Sequence, residues 1–256
     1  MDFRSGTKYY PNFIEGGLEI SPFKLPLASE ILTADTDVFD GLFGVFNDSL
    51  PDGWGRLLLD RSLFSKGISP NEITALDRLS FVGQNGAGAL TYKPAKYSVF
   101  DFEKQLELDS IASESQKILE GESSGVIDEL FHLGGSSGGA RPKIFVGWNP
   151  KTDHLISGNE NLPKGYEHWI IKFSTQTDVM DIANIEFAYH KMAIAAGLEM
   201  SECRLFKGFS GRYFFGTKRF ERNGQKRLHM HSAAGLLHDN FRLSSMDYGH
   251  VMDAAF

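Results

Sequence analysis

The sequence holds 256 residues, 41% hydrophobic and 23% charged, a balance that excludes wholesale disorder and leaves room for one large domain or two small ones. A formal net charge of −7 and an isoelectric point near 5.6 argue against broad electrostatic binding of nucleic acid through this chain. A lone cysteine, Cys203, excludes an internal disulfide. With no apolar leader at Met1-Asp2-Phe3-Arg4 and no apolar stretch of bilayer length, a cytoplasmic protein is expected.

In chain order, Tyr9 to Ile14 reads as a strand end running into a turn. Leu18-Glu19-Ile20 and Phe23 to Leu27 alternate apolar with polar or turn residues, as half-buried strands do. Ser49 or Asp52 is placed to cap a helix running to about Ser65, with Trp54, Leu57, Leu58 and Leu63 as its apolar stripe. Asp48, Asp52 and Asp60 resemble paired carboxylates, but capping plus a salt bridge to Arg56 or Arg61 is the simpler reading. A second helix is expected from Asn71 to Ser80. Val82 to Tyr92 then gives a glycine turn into a strand. Gly83, Gly86 and Gly88 loosely suggest a dinucleotide fingerprint, yet they follow a helix and lead into a strand, the reverse of that motif's order. Phe102 to Leu119 predicts an amphipathic helix. The turn Gly121 to Gly125 closes the most natural boundary between two subdomains.

The centre of the chain is Leu133-Gly134-Gly135-Ser136-Ser137-Gly138-Gly139-Ala140-Arg141-Pro142-Lys143, followed by the apolar run Ile144-Phe145-Val146. Glycines let the main chain approach a ligand closely, and free backbone N–H groups form an anion-binding concavity. A lysine at the end of such a loop adds a point charge suited to phosphate. A flexible linker is the alternative, but a spacer has no need of the Arg-Pro-Lys ending or the apolar flanks.

Beyond the loop, strands are expected at Lys143 to Trp148, at His154 to Ser157, and at Glu167 to Phe173. Lys172 should point to the face opposite Ile171 and Phe173. A helix opens at Asp181, carries Glu186, and stops at Gly197, with Ile185, Ala188, Tyr189, Met192 and Ala196 as its expected buried stripe. Cys203 to Phe206 and Arg212 to Thr217 form a strand pair, continued by Lys218 to Arg222, and a helix opening is expected within His229 to His238. His229, His231 and His238 invite a zinc reading, but no cysteine or carboxylate cluster completes a site, so no metal site is expected.

The order is glycine loop, strand, strand ending in lysine, helix with glutamate, then two strands. A protein-kinase N-lobe is built this way, with the strand lysine on the phosphates and the helix glutamate holding that lysine. Lys172 and Glu186 fill these two roles. Taken singly, Lys172 is also explained as a solvated strand end and Glu186 as a helix acid favoured by the dipole. With the loop, the kinase-like reading is ahead.

Ser49-Leu50-Pro51-Asp52-Gly53-Trp54-Gly55-Arg56, the loop Gly134 to Lys143, Ile170 to Phe173, Lys218 to Arg222 and His231-Ser232-Ala233-Ala234 together resemble successive motifs of the HipA family. These are serine/threonine kinases that act as toxins of bacterial toxin–antitoxin modules. The resemblance implies an α+β, protein-kinase-like fold. It divides the chain into a small β-rich N-terminal subdomain over 1–95, an ATP-binding lobe over 96–220, and the start of a helical lobe over 221–256. It implies ATP with Mg²⁺ as cofactors, a protein Ser or Thr as substrate, and a HipB-like DNA-binding antitoxin as partner. Gly138, Gly139 and Ala140 would lie along the phosphates, Lys143 would end the loop, and Lys172 would contact the phosphates. Lys218 to Phe220 would be the hinge whose backbone meets adenine, and Glu186 would support Lys172. Ser136 falls where the family carries an autophosphorylated loop serine, whose phosphate would repel those of ATP. A tight loop's need for small residues explains Ser136 equally well.

The family's catalytic-loop aspartate with its asparagine, and its Mg²⁺ aspartate, have no counterpart after Phe220. His238-Asp239-Asn240 is too compressed, and Asp247 and Asp253 stand alone. The expectation is a chain that lacks the catalytic loop, so the rival reading is a non-catalytic protein that engages an antitoxin or other partner. A hydrolase using Ser136 or Ser137 ranks last, because the strand–Gly-x-Ser-x-Gly–helix context is missing.

Overall fold

Alternation of apolar and polar residues builds the sheet. In the computed structural model, which describes residues 6–96, 104–122, 125–134, 138–158, 162–243 and 245–255, five antiparallel strands run in the order β2-β1-β3-β5-β4. They are β1 (Lys143–Asn149), β2 (His154–Ser157), β3 (Glu167–Lys172), β4 (Cys203–Lys207) and β5 (Tyr213–Lys218). Ile144, Val146 and Trp148 of β1 share one face with Trp169 and Ile171 of β3, as the period of two requires. With Phe173, Phe206, Phe214, Leu133 and Leu108 they make the largest core cluster, with Trp148, Trp169 and Phe206 meeting edge to face. Polar residues of the opposite alternation, Lys143 and Lys172 among them, lie on the other face. A two-stranded ribbon, β6 (Arg222–Asn223) and β7 (Lys226–Arg227), follows the sheet.

Ahead of the sheet come α1 (Pro11–Glu15), α2 (Thr36–Phe39), α3 (Gly44–Asn47), α4 (Trp54–Ser65), α5 (Ala75–Val82), α6 (Leu108–Leu119) and α7 (Ile127–Gly134). After it come α8 (Ile182–Ala195), α9 (Ala233–Leu237) and α10 (Tyr248–Ala255). Helix and sheet together make an α+β chain. The sequence also predicts a β-rich N-terminal region, and that expectation is corrected. Among the described residues up to 95, β pairing is confined to two isolated bridges, Thr7 with Leu32 and Ser21 with Leu25. Pro11 occupies the first turn of α1, where its missing N–H costs nothing, so Pro11–Glu15 turns helical after the extended Tyr10. No strand forms at Leu90 to Tyr92.

The helix starts shift as well. α4 begins after Gly53 with no side-chain cap, so neither Ser49 nor Asp52 caps it. Ser49 instead accepts a hydrogen bond from Tyr92 (2.7 Å), and Asp52 pairs with Arg242 (2.7 Å). Asp60 does bridge to Arg56, and more closely to Arg78. α5 starts at Ala75 because Thr74 and Asp77 form a capping box. α7 directly precedes the loop, so helix–loop–strand is the local order. Trp54 and Leu58 of α4 pack on Ile118 of α6 and Leu130 of α7, tying the N-terminal region to the helix that feeds the loop.

One expected face is reversed. In α8 the stripe of Ile185, Tyr189 and Met192 is exposed, at 39%, 67% and 64%, and His190 is the buried residue of the helix. Asn184 and Lys191 fall on one side of the helix and Glu186 and His190 on the other, so periodicity does not tell which side meets β4 and β5.

Among the described residues no helix is long and apolar enough to cross a membrane.

Candidate functional site at the glycine loop

Strand register brings the site together. Lys143 at the start of β1 lies directly opposite Lys172 at the end of β3. Two like charges across a non-local pair oppose each other, an arrangement that costs stability unless other groups answer it. Lys172 is answered by Glu186 of α8, whose carboxylate oxygens lie 3.2 and 3.3 Å from Nζ. Its stem runs beside Phe215, with Nζ 5.2 Å from the ring centroid. Lys143 donates to the carbonyl of Gly138, folding the loop back over its own lysine. Burial first, and then Lys172, push the Lys143 ammonium below its ordinary pKa, while Asp52 and Glu186 pull the other way.

Arg141 completes the cluster. Its guanidinium reaches Glu186 (3.3 Å) and Asp178 (2.5 Å). Asp178 is nearly buried and fixed by the backbone N–H and hydroxyl of Thr175, at 2.8 and 3.0 Å. Those bonds, led by the Thr175 backbone N–H, hold its pKa below the usual carboxylate value. Three cations, Arg141, Lys143 and Lys172, thus converge where the loop enters β1, with Glu186 shared between two of them.

Gly138, Gly139 and Ala140 are exposed along the loop. Ser136, with Ser137 and Gly135, lies outside the described residues. At the far end of the sheet the side chain of Lys218 is engaged by Glu167 (3.0 Å) and Glu202 (3.5 Å). Phe220 is 65% exposed and lines a cavity of about 360 Å³ shared with Asp48, Gly88, Leu90 and His231. Between them Arg219 is buried, paired with Glu221 (2.6 Å) and stacked 3.9 Å from the Phe145 centroid. The glycine turn at Gly83 to Gly88 is a carbonyl cap: Gly86 and Gly88 accept from Arg222 at 2.8 and 2.9 Å.

Two family models match this chain. A model of the HipA N-terminal domain matches residues 4–93, and a model of the HipA-like C-terminal domain matches residues 135–255. The chain belongs to the HipA family. No curated protein matches it. In this HipA-family chain the loop opens the C-terminal match, while Asp52, close enough to act on Lys143, lies in the N-terminal one.

Sequence reasoning names Lys143, Lys172 and Glu186, and the structure gathers all three. It passed over Arg141 as a functional group, and Asp178 altogether. The available signal for Asp178 is the Thr175-x-x-Asp178 spacing, which favours a local turn closed by hydroxyl and carboxylate. Asp239 and Asn240 are spent locally, Asp239 accepting from Ser245 and from the Asn240 backbone. Among the described residues no group of three His, Cys, Asp or Glu side chains could hold a metal ion.

Proposed function

We propose that this chain is the nucleotide-binding part of a HipA-like serine/threonine protein kinase. One observation carries the reading: Lys143 and Lys172 face each other across β1 and β3 beside Arg141, at the mouth of a glycine-rich loop. An anion with several charged oxygens relieves that repulsion, and a triphosphate has the required chemistry. Glu186 pairs with Lys172 and aims it, the role of a helix glutamate in a kinase N-lobe. The divisions 1–95, 96–220 and 221–256 belong to this reading, as do a HipB-like antitoxin as partner and the cytoplasm as location.

ATP bound here would supply a transferable phosphoryl group. Arg141, Lys143 and Lys172 would hold its phosphates, and the backbone of Gly138, Gly139 and Ala140 would lie along them. The hinge role stays with the backbone of Lys218 to Phe220, since the Lys218 side chain is engaged by glutamates. With Asp239 and Asn240 bonded within their own loop, no described group is assigned to proton abstraction or phosphoryl transfer. That observation favours a second reading, partner binding with nucleotide held but not turned over.

Titration calorimetry with ATP and Mg²⁺ tests the proposal. The wild-type chain is expected to bind, and Lys172→Ala to weaken binding about tenfold or more, as loss of a charge-assisted contact does. Absence of binding by the wild type overturns it.

A further inference from the structure

The glycine loop is held from outside the stretch that would bind nucleotide. The Trp54 backbone N–H donates to the Gly139 carbonyl at 3.0 Å, and this bond joins residues 85 positions apart. Gly53 turns the chain there with φ +45°, a conformation that L side chains rarely adopt. No room is left for a side chain either: a Cβ on Gly53 would lie 2.6 Å from the Gly139 oxygen and 2.7 Å from the Ala140 Cα. Trp54 anchors the turn, being 1% exposed and packed on Leu58, Ile118 and Leu130. Asp52 tethers the other side through Arg242 at 2.7 Å. At its far end the loop is held by Arg141 on Asp178 and Glu186.

We infer that the Asp52-Gly53-Trp54 turn is a positioning element for the phosphate loop, fixing Gly139 and Ala140 so that the N-terminal region sets nucleotide affinity. The affinity half rests on the nucleotide reading above; the positioning half does not. A phosphate cradle works only when its backbone N–H groups are already aimed, because ordering them on binding subtracts from affinity. Pinning the Gly139 carbonyl onto Trp54 orients the peptide unit that also carries the Ala140 N–H. Any partner that displaces the turn would loosen the loop without touching the lysines.

The test uses the full chain. Hydrogen exchange on the ligand-free protein is followed at the Trp54 amide, the donor to the Gly139 carbonyl, in wild type and in Gly53→Ala, with the strand amides of Val146 and Trp169 as internal references. Exchange at Trp54 is expected to speed up about tenfold in the variant while the references hold, the signature of local opening. Calorimetry with Mg²⁺-ATP is expected to show about tenfold weaker binding by the folded variant. A merely structural role would lower the melting temperature and leave the affinity of the folded protein unchanged. Unchanged exchange at Trp54, or a loosened contact with unchanged affinity in a chain that binds ATP, overturns the inference. Should Gly53→Ala fail to fold, Asp52→Ala decides. It removes the tether to Arg242 together with the charge that acts on Lys143, and is expected to speed exchange at Trp54 about threefold; wild-type exchange there would overturn the proposal. If wild type binds no nucleotide, the functional reading falls, and exchange in the ligand-free protein still decides whether the turn holds the loop.

Discussion

Glu186 is one carboxylate serving two cations, Lys172 at 3.2 Å and Arg141 at 3.3 Å, with Lys143 a cross-strand neighbour of Lys172. Replacing it by Gln keeps the volume and removes the charge that answers the cluster. These side chains are 23–41% exposed, so solvent screening limits the loss to about 1 kcal/mol or less. Because the residual effect is repulsion among cations, the gap between wild type and Glu186→Gln should narrow as salt rises. Urea unfolding at low and high ionic strength measures this, and a gap that widens with salt would contradict the account. The Lys172–Glu186 pairing was legible in the sequence, since a strand-end lysine and a helix acid at that separation suggest each other. The Lys143–Lys172 opposition was not, because it depends on register between strands that no local pattern specifies.

Strands were legible as elements because alternation fixes a face within a few residues. β1, β2, β3, β4 and β5 fall close to where Ile144-Phe145-Val146, Leu155-Ile156, Trp169-Ile170-Ile171, Leu205-Phe206 and Phe214-Phe215 place them. The N-terminal segments carried only short alternations, and there the turn chemistry of Pro11 and the Thr74–Asp77 box decided. α8 shows the limit from the other side: a helix with polar residues on opposite sides has no single stripe to read. Its exposed face makes a contrast with the core. Met192→Lys should change stability by no more than about 0.5 kcal/mol, as at an ordinary surface position. Ile171→Ala, fully buried beneath the sheet, should cost about 2–5 kcal/mol. Denaturant midpoints of the two variants rank them, and a larger loss at Met192 would mean that face is covered.

Across the whole molecule, several joints between distant segments are polar contacts, and sequence periodicity cannot see them. Asp48, at the end of α3, receives Ser232 through its hydroxyl and backbone N–H and lies 2.7 Å from the His231 ring. α3 and α9 meet where both present glycine, and a Cβ on Gly235 would come 2.5 Å from the Asp48 carboxylate. Such a molecule carries histidines placed for packing, and His168 is the sharpest case. It sits in β3 with Nδ1 3.2 Å from the Gly158 carbonyl oxygen. Burial, and then the neighbouring Arg219, push its pKa down from 6.5 to about 4. Between those values the unfolded chain binds a proton that the folded chain refuses, so stability falls as pH drops through that window and levels off below it. A depression of that size corresponds to about 3 kcal/mol. His132 and His238 are lowered by burial too and act in the same direction. Urea unfolding followed from about pH 7 to about pH 4 should therefore lose stability steadily, and His168→Gln should flatten much of that slope. A slope unchanged in the variant would show that His168 is protonated in the folded protein and that the buried arginines do not set its charge.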